Sequence, residues 1–122
     1  MKTEKKTLVI GASTNPERYA YRAVKMLEQY GHPVVAVGKK EEDLGNVHIE
    51  KELIHFDGVD TVTLYLNPLN QKQYYDYIVS LKPKRVVFNP GTENPELYTI
   101  LKENNIEVEV ACTLVMLSIG NY

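Results

Sequence analysis

Gly11-Ala12-Ser13-Thr14-Asn15-Pro16 follows directly on the apolar run Thr7-Leu8-Val9-Ile10. A glycine at that junction permits a tight turn and lets the backbone come close to a bound group. Where such a turn opens a helix, free N–H groups and the positive end of the helix dipole suit a phosphate or pyrophosphate. Ser13 and Thr14 add hydroxyl donors. The plainer alternative is a strand-to-helix turn with no ligand. On the phosphate reading, Gly11 serves ligand approach more than folding.

The dinucleotide fingerprint G-x-G-x-x-G is absent, because Ser13 and Pro16 stand at its second and third glycines. Sites for NAD usually also carry an acid at the end of the second strand, where it holds the ribose hydroxyls. Here that place reads Val37-Gly38-Lys39-Lys40. Lysines there favour a ligand with an additional phosphate on its ribose, either NADP or coenzyme A; solvated surface lysines are the alternative. Asn-Pro recurs at Asn15-Pro16, Asn67-Pro68, Asn89-Pro90 and Asn94-Pro95. Capping of helices or turns accounts for all four. Three of them follow strands, where the asparagines could read adenine or pantetheine amides, and Pro90-Gly91 adds backbone that can lie against a ligand.

Catalytic groups are harder to assign. His32, His48 and His55 show no ligand spacing with a carboxylate or cysteine, so no metal site is expected. No Ser–His–acid arrangement follows from the spacing. Cys112 reads as a small buried hydrophobe; the sharper alternative is a thiol able to form a mixed disulfide with a ligand thiol. Of the nine tyrosines, Tyr74, Tyr75 and Tyr77 share one helix and read as core and rim, or as a homodimer face.

The elements that must position these residues alternate. After the first strand, Ala20, Ala23, Val24 and Leu27 repeat at helical spacing. Gly31 stops that helix and Pro33–Val37 is a second strand. Lys39 to Gly58 reads as polar and irregular, with a short strand near Val47-His48-Ile49. Thr61–Leu66 is a clear strand, and Tyr74, Ile78 and Leu81 mark the helix after it. Arg85–Phe88 is the next strand, Asn94-Pro95-Glu96 opens a helix with buried Leu97, Ile100 and Leu101, and Glu107–Val110 is the last strand. Strands alternating with helices predict an α/β Rossmann-like fold of three layers, with a parallel sheet of five or six strands ordered 3-2-1-4-5 and right-handed crossovers. That order sets the ends of the first strand and of Thr61–Leu66 side by side at a switch point, where ligands bind in such sheets.

Composition fits this picture. The 122 residues suit one domain, 1–122. The net charge of −2 is no footprint for nucleic acid or an anionic membrane. No apolar run approaches the ~20 residues of a membrane helix, and the polar start Met1–Lys6 has no signal-peptide character. A single cysteine suits a reducing compartment, so a cytoplasmic protein is expected.

The run from Gly11 through Glu17-Arg18-Tyr19-Ala20, with Gly31-His32-Pro33-Val34, Asn89–Asn94 and Ala111-Cys112, resembles the small single-domain CoA-binding protein family. That family is related to the CoA-binding domain of succinyl-CoA synthetase α subunits, and the resemblance spans residues 5 to 118. It implies coenzyme A across the strand ends, with phosphate contacts at Gly11, Ser13, Thr14 and Arg18 and further contacts at Asn67-Pro68 and Asn89-Pro90-Gly91. The candidate ligand-binding set is then Gly11, Ala12, Ser13, Thr14, Asn15, Arg18, Tyr19, Gly38, Lys39, Asn67, Pro68, Asn89, Pro90 and Gly91. One departure is Ala36-Val37-Gly38-Lys39, where many members read Pro-Val-Asn-Pro near the nucleotide end. The phosphorylated histidine of the synthetase relatives belongs to a further domain, so the expectation is a non-catalytic protein holding CoA or an acyl-CoA. The rival expectations are an NADP-dependent or acyl-CoA-processing enzyme, and a ligand-free Rossmann-like interaction domain.

Overall fold

The computed structural model describes residues 4–122; Met1, Lys2 and Thr3 of the polar start lie outside the described residues. Four-residue apolar stretches form the centre of the sheet: β1 (Thr7–Ile10), β5 (Thr61–Leu64) and β6 (Arg85–Phe88) are buried along their whole length. Such continuous burial belongs to parallel strands covered on both faces. With β2 (Val34–Val37), β3 (Glu42–Leu44), β4 (Val47–Glu50) and β7 (Glu107–Val110) they make one seven-stranded sheet, in the order β3-β4-β2-β1-β5-β6-β7. Every pairing is parallel except β3 with β4.

The strand count is therefore one above the expected maximum. The extra strand lies in the segment read as irregular. Residues 42–50 form an antiparallel hairpin in which Asp43 faces His48 and Leu44 faces Val47. Along the chain β3 takes the place between β2 and its parallel neighbour β4 where this kind of sheet usually has a crossover helix, and in the sheet it lies outside β4 at the edge.

Side chains alternate across β1. Leu8 and Ile10 pack with Ile78, Leu81, Leu97 and Leu101, whereas Val9 packs with Ala20, Val24, Leu27 and Leu117. One face of the sheet is thus covered by α3 (Tyr75–Leu81) and α4 (Pro95–Glu103). The other is covered by α1 (Tyr19–Gln29) and α5 (Thr113–Ser118). All four apolar residues read as the buried stripe of α1 are buried. A short helix, α2 (Pro68–Gln71), and a 3-10 turn (Lys72–Tyr74) lead into α3. Tyr74 and Tyr77 belong to the core, and Tyr75 between them is half-buried.

At the amino edge of the sheet Arg85 is buried. It donates to Thr61 Oγ1 at 2.9 Å, to Glu109 Oε1 at 2.7 Å and to the Tyr122 carbonyl at 3.0 Å. That network lies at the end of the sheet opposite the candidate site. No helix among the described residues is long and apolar enough to cross a membrane.

Candidate functional site

The register Ile10↔Leu64 places the ends of β1 and β5 side by side, so the switch point lies where the alternation implied. The turn after β1 starts at Gly11, with φ +91, a backbone conformation glycine adopts at no steric cost. Gly11 and Ala12 both donate to the Val37 carbonyl, at 2.9 and 3.0 Å, so the turn leans across the end of β2. Ser13 Oγ then accepts from the Asn15 N–H, and Asn15 Oδ1 accepts from the Glu17 N–H, both at 3.0 Å. Asn15 thus shapes the turn and does not cap α1. No side chain caps that helix and no acid stands in its first turn, which leaves its positive end open to an anion.

A cavity of about 830 Å³ opens along this edge, within the range of small-molecule sites. Of the residues singled out from the sequence, Gly11, Ala12, Ser13, Thr14, Asn15, Arg18, Tyr19, Lys39, Asn67, Pro90 and Gly91 line it. The lining charges are Arg18, Lys39 and Lys40 against Glu17 and Glu42. Tyr19 is 65% exposed at the mouth, and the Arg22 guanidinium lies 5.5 Å from its ring centre.

Three of the singled-out residues do not line the cavity. Pro68 is the first residue of α2, and it is Asn67 whose Oδ1 caps that helix through the Asn70 N–H at 3.0 Å. Gly38 is a packing glycine, with the Ala12 carbonyl directly above it. Asn89 is 2% exposed and spends every polar group inside the fold. Its Nδ2 donates to Thr63 Oγ1 at 2.7 Å and to the Leu64 carbonyl at 2.8 Å, and its Oδ1 accepts from the Thr113 N–H at 2.8 Å. Asn89 therefore ties β5 and β6 to the start of α5 and has nothing left to read a ligand amide. Its neighbours make a tight turn closed by the Thr92 N–H on the Asn89 carbonyl at 3.0 Å, with proline and glycine in the middle as such a turn favours.

Sequence reasoning missed Tyr65, Leu66, Asn70, Thr92 and Glu42, which also line the cavity. Tyr65 and Leu66 carried a usable signal, since they end the run Thr61–Leu66 at the switch point. The Tyr65 hydroxyl is buried beside Thr63 and Thr113; burial pushes its pKa far above the ordinary 10, so it stays neutral. Behind the lining, fully buried Gln71 donates to the Leu66 and Thr92 carbonyls, both at 2.8 Å, and accepts from Asn94 Nδ2 at 2.9 Å. One amide thus holds two cavity loops and the cap of α4 together.

The hairpin gathers Glu41, Asp43 and Glu50 around exposed His48, although spacing along the chain showed no such set. His48 Nδ1 is 2.5 Å from Asp43 Oδ1, and ligand atoms of Glu41, His48 and Glu50 lie within 4.8 Å of one another. The hydrogen bond to Asp43 raises the pKa of His48 above 6.5. Cys112 is half-buried at the start of α5 and does not line the cavity.

A doubly wound, mostly parallel sheet with a glycine turn and a cavity at its switch point defines a Rossmann-like ligand-binding domain. Residues 5–118 match the CoA binding domain family, and the chain belongs to it. It is similar to an uncharacterized protein of known crystal structure, with 53% identity and a TM-score of 0.96 over 99% of this chain and 100% of the other. A hypothetical protein from Pyrococcus horikoshii OT3 matches at 27% identity and TM-score 0.86, covering 95% of this chain and 83% of the other. The cell-free ID.343 structure from Thermus thermophilus matches at 25% identity and TM-score 0.86, covering 98% and 91%. No curated protein shows a significant match.

Proposed function

We propose that this protein binds coenzyme A, free or as an acyl-CoA, across the carboxyl edge of its sheet and performs no chemistry alone. In this reading the pyrophosphate lies on the turn from Gly11 to Asn15, against the open end of α1 and Arg18. Lys39 and Lys40 meet the ribose phosphate, and the pantetheine chain runs toward Asn67 and Pro90-Gly91. The observation that carries the reading is that one cavity joins the phosphate turn, both lysines and the loops after β5 and β6. Pantetheine is slim and extended, as such a groove requires, whereas nicotinamide needs a flat pocket beside a hydride partner. Supporting the non-catalytic part, the lining among the described residues holds neither histidine nor cysteine, and its basic groups, Arg18, Lys39 and Lys40, are the ones this reading gives to phosphates.

Binding should stabilise the fold. At 100 times the dissociation constant the gain is about 2.7 kcal/mol, roughly 4–8 °C in Tm for a domain of this size. Scanning fluorimetry with millimolar CoA and no shift would overturn the proposal. Calorimetry with CoA, 3′-dephospho-CoA, NADP and NAD tests the ligand: CoA should exceed NADP by about tenfold, ~1.4 kcal/mol. Dephospho-CoA should bind more weakly than CoA. A preference for NADP would favour a nicotinamide enzyme instead.

A further inference from the structure

One acid stands among the bases at the nucleotide end of the cavity. Lys39 and Lys40 follow β2, yet Glu42 lines the same cavity from β3. Because β3 runs antiparallel to β4, its first residue pairs with Ile49, whose parallel partner on β2 is Ala36. Glu42 therefore reaches the carboxyl edge where β1 and β2 end. The turn from Gly11 crosses the end of β2 and brings Thr14 to the hairpin, where its hydroxyl donates to Glu42 Oε1 at 3.1 Å.

A carboxylate repels a phosphate, the more so where partial burial limits screening. An end filled only by phosphate would have no use for Glu42. A carboxylate is also a pure acceptor with room for about four hydrogen bonds. Thr14 engages Oε1, which leaves Oε2 for another donor. Two lysines and one carboxylate at the same end suit a group that presents a phosphate and a hydroxyl on neighbouring atoms, which is a ribose carrying one phosphate.

We infer that Glu42 is a specificity-determining residue that accepts the free ribose hydroxyl adjoining the phosphate, while Lys39 and Lys40 take the phosphate. This rests on the coenzyme A reading, in which the phosphate is on the 3′ oxygen and the 2′ hydroxyl is free. Exchanging the two positions would set a phosphate against Glu42. The site should therefore select 3′-phosphorylated over 2′-phosphorylated adenosine nucleotides.

Calorimetry with CoA, 3′,5′-ADP and 2′,5′-ADP tests this on the parent and on Glu42→Gln, with circular dichroism to verify that the variant is folded. Glutamine keeps an acceptor for Thr14 and adds N–H groups that tolerate phosphate. The parent should prefer 3′,5′-ADP by about tenfold or more. Glu42→Gln should cut that preference at least about threefold, chiefly by binding 2′,5′-ADP more tightly. An unchanged preference overturns the inference. So does equal tightening of both nucleotides, which would make Glu42 a general like charge. If CoA binds the parent in either case, the coenzyme A reading survives; if CoA does not bind, both fall together.

Discussion

A Cβ atom at Gly38 would lie 2.5 Å from the carbonyl oxygen of Ala12. No carbon reaches that distance without backbone movement, so the absent side chain is what lets the phosphate turn cross the end of β2. The Ile49 Cγ2 atom, 2.9 Å from the same point, closes the other side.

Gly38→Ala should therefore lift the turn off β2. Overpacking of this kind costs about 1–3 kcal/mol, and the displaced turn should bind CoA more weakly. Thermal unfolding and calorimetry check both; a variant with parental Tm and affinity would mean that the turn can shift freely.

Gly11→Val should lower both stability and affinity. At φ +91 its Cβ would stand 3.0 Å from the Tyr65 carbonyl oxygen and 3.1 Å from Leu66 Cδ2. Positive φ alone costs a side-chain-bearing residue about 1–2 kcal/mol. The geometry thus gives Gly11 a folding role that the sequence reading placed second to ligand approach. Affinity for CoA should fall by about tenfold, ~1.4 kcal/mol, in a protein still folded by circular dichroism. Parental affinity would put the phosphate elsewhere.

Asn89→Leu should destabilise without much change in ligand affinity. It strands the Thr113 N–H and the Leu64 carbonyl in the interior, and each buried unsatisfied group costs about 1–3 kcal/mol. Urea unfolding should show the loss, while calorimetry well below Tm should return near-parental CoA binding. A large loss of affinity in a folded variant would restore Asn89 to the site.

His48 should titrate above 6.5, because the hydrogen bond to Asp43 favours its protonated form, with Glu50 and Glu41 adding to the effect. Since the folded-state pKa is the raised one, the contribution to the hairpin is complete below the unfolded value. It is lost as pH rises through the folded value. The imidazole proton shifts in an NMR titration give the midpoint, which Asp43→Asn should bring down. A parental midpoint at or below 6.5 would contradict the hairpin geometry.

Features that depend on neighbours a few residues apart were legible in the chain alone. The helical spacing of Ala20, Ala23, Val24 and Leu27 found the buried face of α1. Asn94-Pro95 was legible as a cap, and Asn94 Oδ1 accepts from the Leu97 N–H at 3.3 Å. Apolar runs separated by helices implied a parallel sheet with β1 beside β5, hence a switch point beside Gly11. Relations between distant residues emerged with the packing of the fold. Asn67 and Asn89 share the same dipeptide, yet Asn67 lines the cavity while Asn89 is spent on Thr63, Leu64 and Thr113. Their fates depend on what packs beside each loop, which no local pattern records. Thr14 and Glu42 are 28 positions apart and meet only because the hairpin register brings β3 back to the carboxyl edge. A segment rich in charge and poor in apolar periodicity conceals such a register, since its pairing is settled by the strand it lands against.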